Sequence, residues 1–571
     1  MTIDIRAIGH AATGRLAWRW RPLAPETYVM LMAVALLLGV IVYPVLKLLL
    51  IGFLDRTSEA LSLVNFYTLS ASPRAVAAIR YTAILAFAST VVASVIGVSL
   101  AWITARTDSF LREHFELLNI MPFFMSAFVG AVAWRFLLSP NIGVINTFFQ
   151  NVLGMEFTLN IYGMGGMIWV AALFHTPYTY LFAIASFRKM DPALEEAART
   201  AGLNSLQTAL RITLPLSTPA ILSGALFAFI LACGTLEVPL ALGLPEGIYT
   251  LSMEIWKATT DYPSNLNLGA AVALIILGLT VIGLYINRRI IMPRSYVTVT
   301  GKGWRPNVVR LGHWRYLTCG FNLLYILVTI LLPLGVLLIV SFSWVWTGEP
   351  DLSQLTLKNY QTVFETDETS RGIRNSLLLA VSAATVGTLL AAILSYIIHR
   401  TRLWGRGLLD FMATIPIAVP GVALGVALLS IWITTPLYQT LGILFLAYVT
   451  RWLPVCQKNV ASVLMAVSPE LDESARVSGA SWAQMMRRIM LPLIRPGLVA
   501  SWLMLFVISI REMSASLLLY TQGTETMSVA LWLMIRKDMP TVAAFAMVQT
   551  VILLTATLLF NRLVGRERLS V

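Results

Sequence analysis

Three ionisable residues lie within long apolar runs of the sequence: Glu237 in CGTLEVPLALG, and Arg511 with Glu512 in SIREMSASLLLY. A charge in an apolar environment is costly, so residues that keep one there are functional candidates by default. Carboxylates and a guanidinium at such depth can bind a charged solute or neutralise one another. We predict that these three residues line a pathway or its outer gate. A structural pair of Glu512 with Arg511 or Arg451 is the alternative.

Metal and nucleophilic chemistry finds little support in the sequence. The three cysteines are far apart, and the five histidines are scattered without an HExxH pattern. An odd number of isolated cysteines argues against a disulfide framework or a zinc site. His175, beside Thr176 and Pro177, is interpreted as a satisfied interior histidine rather than a ligand. The sequence therefore predicts no metal site, no catalytic residue and no cofactor bound by this chain.

A polar segment occurs twice. Residues 191–215, DPALEEAARTAGLNSLQTALRITLP, align without gaps on residues 468–492, SPELDESARVSGASWAQMMRRIMLP, with 11 of 25 positions identical at an offset of 277. Residues 80–107 and 374–401 also align, with 8 of 28 identical at an offset of 294. A repeat of this length indicates two similar halves. Glu237 and Glu512 then lie at similar places in the two halves.

Each copy of the polar segment predicts a short helix followed by a turn. Asp191 or Ser468 is a favoured N-cap, and the proline after each is a favoured first helical residue. The acidic residues that follow complement the positive end of the helix dipole. Gly202 and Gly479 allow a sharp turn. A slim exposed helix with a glycine turn suits insertion into a groove of a partner protein.

Both segments resemble the EAA loop of binding-protein-dependent ABC importer permeases. Its pattern is Glu-Ala-Ala, three residues, Gly, nine residues, Ile, one residue and Leu-Pro. The first copy fits fully, and the second has Ser474 in place of one alanine. The resemblance implies that these helices couple the chain to two copies of a cytoplasmic ATP-binding subunit. The residues to which it assigns this role are Glu196, Ala197, Ala198, Gly202, Glu473, Ser474, Ala475 and Gly479.

Composition indicates a polytopic membrane protein. Of the 571 residues, 58% are hydrophobic and 12% are charged, whereas soluble domains carry about 25% charged residues. We predict an all-α fold of about 12 transmembrane helices in two parallel six-helix repeats, like a type I ABC importer. The predicted helices are 28–53, 80–105, 117–138, 161–187, 216–244, 268–287, 316–343, 375–398, 408–431, 437–457, 493–520 and 541–561.

The basic residues set the orientation. Of 41 Lys and Arg residues, 27 fall in the termini and the even-numbered connections and 9 in the odd-numbered connections. The positive-inside rule then places both termini in the cytoplasm of a multi-pass inner-membrane protein. Membrane orientation accounts for the net charge of +13, so nucleic acid is not an expected partner. The predicted domains are 1–287 and 316–571, joined by a cytoplasmic linker, 288–315.

The resemblance also implies the partners and the mechanism. The sequence has no GxxxxGK[ST] phosphate loop, so the partner subunits would use the ATP and this chain would not be an enzyme. A soluble binding protein would deliver a solute to the outer face, and membrane lipid would surround the helices. The resemblance is greatest to fused ferric-iron permeases, which implies ferric iron. Aminoethylphosphonate or thiamine remains open, and so does an ion-driven secondary transporter.

Overall fold

The computed structural model describes residues 25–287, 289 and 308–563. These residues form helices and contain no β-strand beyond isolated bridges. Most of the predicted linker, 288–315, lies outside the described residues. The predicted all-α fold is confirmed.

Among the described residues, nine helices are long and apolar enough to cross a membrane, and two bent pairs raise the number to eleven. A further helix has 26 residues but carries Arg451, Gln457 and Lys458 and is not among the eleven. Each predicted run thus has a helical counterpart. In chain order they are α1 (Thr27–Gly52), α2 (Pro73–Arg106), α3 (Arg112–Phe124 with Ala127–Leu138), α4 (Met164–Lys189), α5 (Ser205–Cys233), α6 (Leu266–Ile286), α7 (Trp314–Phe342), α8 (Asp367–Arg400), α9 (Arg406–Ala418 with Gly421–Trp432), α10 (Leu441–Ala466), α11 (Met486–Ile510) and α12 (Met539–Leu559).

The repeat extends through the whole helical framework. Helices α2 and α8 each have 34 residues and begin 294 positions apart, as the sequence alignment of this region does. Helices α4 and α10 each have 26 residues and begin 277 positions apart. The offset changes between α3 and α4 because the first half has a longer connection there, which contains an additional helix, Val144–Asn151.

Helices α3 and α9 are bent, by 95° and 109°. Each bend follows a short 3₁₀ turn that contains a proline, Pro122 or Pro416. Proline lacks an amide hydrogen and blocks the preceding turn, which explains why the helical axis breaks there. The predicted runs 117–138 and 408–431 are therefore each divided into two helical segments.

Helices α5 and α11 end earlier than predicted. The runs 216–244 and 493–520 are each predicted as one helix, but the helices stop at Cys233 and Ile510. In the first half, the Glu237 carboxylate accepts the amide of Leu236 at 3.0 Å, just after α5 ends. In the second half, the Glu512 carboxylate accepts the amide of Ala515 at 3.0 Å and so competes with helical bonding. Glu237 and Glu512 therefore lie just after the ends of α5 and α11.

The two halves interlock through their first helices. Leu37 and Ile41 of α1 belong to a buried cluster with Leu453 of α10. Tyr325 of α7 belongs to a buried cluster with Leu100 of α2. The first helix of each sequence half thus packs against the other half, which couples any movement of the two.

Candidate functional site

The first exposed helix of the polar repeat spans Pro192–Thr200. The Asp191 side chain caps it, because its Oδ1 accepts the amide of Ala193 at 2.9 Å. Glu196 and Ala197 are exposed. The helix thus presents an acidic and a small side chain on its outer surface.

The neighbouring small residue and the glycine complete this first surface. Ala198 is buried against the protein, which lets the helix lie close to it. Gly202 has a φ of +89°, a conformation that non-glycine residues adopt at a cost. The predicted helix and glycine turn are both present.

The second copy, Glu470–Val477, repeats this arrangement. Glu473 and Ser474 are exposed, and Ala475 is buried. Gly479 has a φ of +77°. The two copies therefore present the same short acidic surface at equivalent places. Docking of these two surfaces on a partner protein stays a prediction.

A buried ion pair attaches the inner face of the first exposed helix to the end of α2. Glu195 is 3% exposed and Arg106, at the end of α2, is 1% exposed. The Glu195 Oε2 lies 3.5 Å from the Arg106 Nη1. Thr213 donates to the other carboxylate oxygen at 2.7 Å. Among the described residues, the guanidinium of Arg106 has no hydrogen-bond partner, so the charge of Glu195 is its main compensation.

The second half has the equivalent pair. Asp472 Oδ2 lies 3.4 Å from Nη1 of Arg400, and the two residues occupy the positions of Glu195 and Arg106 at the repeat offsets. Arg400 also donates to two carbonyl oxygens, those of Leu464 at 2.7 Å and Val467. The sequence analysis missed these pairs. The signal was available, because an arginine followed by threonine ends both aligned segments of α2 and α8.

A cavity of about 150 Å³ lies between the halves. The three predicted pathway residues, Glu237, Arg511 and Glu512, all line it, together with Arg451 and His175. The structure thus brings together charged groups from the first and the second half.

Glu512 forms an ion pair within the second half. Its Oε1 lies 2.6 Å from Nη1 of Arg451, and both side chains are largely buried. A Cβ at Gly421 would overlap the Arg451 guanidinium, so a side chain there would displace the guanidinium from its place beside Glu512. Of the two structural pairings considered from the sequence, the structure contains the one with Arg451.

Glu237 is held by neutral groups. Its Oε2 accepts from the Thr235 hydroxyl and the Leu236 amide, both at 3.0 Å. Its Oε1 accepts from the Ser514 hydroxyl at 2.8 Å. At the offset of 277, Ser514 is the equivalent of Glu237, and Glu512 is the equivalent of Thr235. The expectation that the two glutamates are equivalent is therefore wrong by two positions.

Arg511 reaches into the other half. Its Nη1 donates to the carbonyl oxygens of Phe123 and Met125, at the bend of α3. Its Nη2 donates to the Tyr178 hydroxyl at 3.3 Å. The equivalent residue, Gly234, abuts the bend of α9, where a Cβ would come within 2.7 Å of Cβ of Pro420. The residue that follows the end of α11 and the one that follows the end of α5 therefore each contact the bent helix of the opposite half, α3 and α9 respectively.

Two equivalent tryptophans meet on the other side of the cavity. Trp256 and Trp532 are each the sixth residue of the short helices Leu251–Thr260 and Met527–Met534. Their ring centroids are 5.8 Å apart and the rings are perpendicular. These helices follow α5 and α11, so they lie at the opposite ends of those helices from the two exposed acidic helices. The tryptophan pair thus joins the two halves there.

Comparisons with known proteins follow the same division into halves. The family described as "Binding-protein-dependent transport system inner membrane component" matches residues 93–294 and 383–568. A putative ferric transport system permease protein, FbpB 1 of Haemophilus influenzae, is 28% identical over 447 residues, which cover 76% of this chain and 68% of that protein. The ferric transport system permease protein FbpB of Actinobacillus pleuropneumoniae is 26% identical, with 84% and 70% covered.

Among solved structures, a bacterial ABC transporter that imports alginate is similar at 20% identity and a TM-score of 0.35, over 44% of this chain and 96% of that one. The family match carries the assignment. Its two segments together cover more than half of the chain, and one lies in each half. The chain therefore belongs to the family of binding-protein-dependent transport system inner membrane components.

Proposed function

We propose that this chain is the permease of an ATP-driven importer that carries ferric iron across the inner membrane. The observation that carries the proposal is the repeated exposed acidic helix, present once in each half with the same exposure pattern. An ion-driven transporter has no need for two such helices. The ferric substrate rests on the names of the two relatives above.

Two ATP-binding subunits would dock on the paired helices. Glu196 and Glu473 present a carboxylate to the partner, and the small residues beside them permit close approach. The ion pairs on the inner side of these helices, Arg106 with Glu195 and Arg400 with Asp472, connect the helices to the ends of α2 and α8. A displacement of either exposed helix would then move a membrane helix of 34 residues.

The cavity and the tryptophan pair suit alternating access. Trp256 and Trp532 close the interface on the side away from the docking helices, which is the outer side if the basic connections are cytoplasmic. A binding protein would deliver the solute there. The first helices, α1 and α7, pack on the opposite halves, so rocking of one half would carry part of the other with it.

The test is co-purification with the ATP-binding subunit. The double variant Glu196→Ala with Glu473→Ala is compared with wild type for assembly and ATP turnover. We expect the variant to lose assembly or stimulated turnover, because both docking carboxylates are absent. The matched control is Glu59→Ala with Glu246→Ala, which removes two exposed carboxylates from connections at the other ends of the helices.

Folding of each variant is checked by thermal unfolding in detergent. Normal assembly and turnover of the docking variant would contradict the proposal. Loss of assembly in the control as well would show that the effect is not specific to the two helices.

A further inference from the structure

The charges in the central cavity are not all compensated. Glu512 and Arg451 neutralise each other at 2.6 Å. Glu237 has only neutral donors, and no cationic side chain of the described residues lies within ion-pair distance of it. Arg511 has only neutral acceptors and no carboxylate at that distance within the same described set. The cavity thus holds one negative and one positive group without counter-ions.

The two glutamates of the cavity differ in exposure. Glu512 is 5% exposed, as expected for a carboxylate that a neighbour satisfies. Glu237 and Arg511 are half-buried and line the cavity. An ionised group removed from water is costly unless a partner of opposite charge reaches it. Both groups are therefore placed where a solute can supply that partner.

His175 adds a third polar group to the negative side. It lines the same cavity and is 9% exposed. Its Nδ1 has no hydrogen-bond partner among the described residues, although buried polar atoms nearly always have one. The expectation of a satisfied interior histidine is thus not met.

We propose that the central cavity is a transit site for a small solute that carries a cationic and an anionic part together. The cationic part lies at Glu237 and His175, and the anionic part lies at Arg511. Arginine binds oxyanions through paired N–H donors, which favours a phosphate- or carboxylate-like group. A volume of about 150 Å³ is below the range of about 300–1,000 Å³ typical of pockets for drug-sized ligands, so the solute is small.

This inference rests on the proposed import function and narrows its substrate. No three His, Cys, Asp or Glu side chains of the described residues converge on one metal position. A ferric ion bound by Glu237 and His175 would therefore need further oxygen ligands that the protein does not supply. An oxyanion could supply them and would then contact Arg511. A zwitterion such as 2-aminoethylphosphonate has the same pair of charges. A solute with only a cation would leave Arg511 without a counter-ion.

The test is binding to the full chain in lipid nanodiscs without ATP-binding subunits, whose nucleotide sites would themselves bind phosphate groups. Four probes are compared by their effect on the thermal unfolding midpoint: ferric iron with pyrophosphate, 2-aminoethylphosphonate, thiamine and inorganic phosphate. We expect one or both of the first two to raise the midpoint, because a ligand that binds the folded state stabilises it. Thiamine and phosphate alone, at equal concentration, should not.

Each unpaired charge is then removed. Glu237→Gln and Arg511→Gln should each weaken binding by about ten- to a hundred-fold, the usual effect of losing a hydrogen bond to a charged group. Arg511→Lys keeps the charge and should recover part of the affinity. The controls are Glu254→Gln and Arg371→Gln, which alter ion pairs outside the cavity and should leave binding unchanged.

The outcomes separate the two proposals. If only 2-aminoethylphosphonate binds, and Glu237 and Arg511 are both needed, the ferric substrate is wrong and the dipolar site stands. If cells import iron normally with either variant, the transport function stands and the site is overturned. Binding of thiamine that is equal in wild type and Arg511→Gln, or no binding of either dipolar probe, also overturns the site.

Discussion

The substitution Glu195→Gln should loosen the attachment of the first exposed acidic helix, Pro192–Thr200, to the rest of the protein. Glutamine keeps the shape of the side chain and can still accept from Thr213, which lies 2.7 Å from the carboxylate. It removes the negative charge 3.5 Å from Arg106. Arg106 is 1% exposed and has no hydrogen-bond partner among the described residues. Breaking a buried pair by removing one partner costs about 3–5 kcal/mol.

The second half provides an internal comparison. Asp472→Asn removes the equivalent charge, 3.4 Å from Arg400. Arg400 keeps its hydrogen bonds to the carbonyl oxygens of Leu464 and Val467, so its guanidinium remains compensated. We expect a smaller loss, about 1–2 kcal/mol, close to that of one charged hydrogen bond.

Hydrogen exchange of the purified chain in nanodiscs measures both losses. At about 1.4 kcal/mol per factor of ten, Glu195→Gln should speed amide exchange in Pro192–Thr200 by a hundred-fold or more. Asp472→Asn should speed exchange in Glu470–Val477 by about ten-fold. The control is Glu473→Gln, on the exposed face of the second helix, which should leave exchange in Glu470–Val477 unchanged. Equal exchange in wild type and Glu195→Gln would refute the reasoning.

A double substitution tests the pair itself. Replacing both Arg106 and Glu195 by methionine removes the unpaired charge together with its partner, which is often neutral for stability. Exchange in Pro192–Thr200 should then be slower than in Glu195→Gln alone. If the free energy lost in the double variant instead equals the sum of the losses in the two single variants, the two residues do not interact.

Three further predictions concern the site and its turns. Gly421→Ala should abolish uptake and destabilise the chain, because the added methyl group overlaps the Arg451 guanidinium; uptake and the unfolding midpoint measure this, and a normal midpoint would contradict it. Cysteines in place of Trp256 and Trp532, whose ring centroids lie 5.8 Å apart, should be joined by a bifunctional thiol reagent with a reducible spacer and should stop uptake until a reductant is added; unimpaired uptake after cross-linking would exclude a gate there. Gly202→Ala should cost about 1–2 kcal/mol in local stability, since its φ is +89°; unchanged hydrogen exchange around the turn would show that the turn tolerates a side chain.

The sequence predicted the helical framework because its signals are local or repeated. Runs of about 20 apolar residues are required by the thickness of a bilayer, and the two offsets locate equivalent helices in both halves. The exposed docking helices followed from caps, prolines and glycines that lie within 25 residues. Each of these features is specified by neighbouring residues.

Breaks within apolar runs could not be predicted from hydropathy. The residues after Gly234 and Arg511 remain apolar, so the runs appear continuous although the helices end. What ends them is local bonding, such as the carboxylate of Glu512 on the amide of Ala515. Hydropathy does not register such contacts.

Pairs between residues that are far apart in sequence also could not be predicted. Glu195 was explained by the helix dipole alone, and Arg106 lies on another helix. Arg511 was considered as a partner of Glu512, its neighbour in the chain, but it crosses to the bend of α3. The direction of a side chain at a helix end depends on tertiary packing, which one sequence does not specify.

The central claim is that the two exposed helices transmit ATP use to transport. The most direct measurement is uptake of radiolabelled ferric iron by proteoliposomes that contain the chain, its ATP-binding subunits and its binding protein. The account predicts uptake that requires ATP and that is lost in the double variant Glu196→Ala with Glu473→Ala. Uptake that continues without ATP on an ion gradient, or that is unaffected by the double substitution, would contradict it.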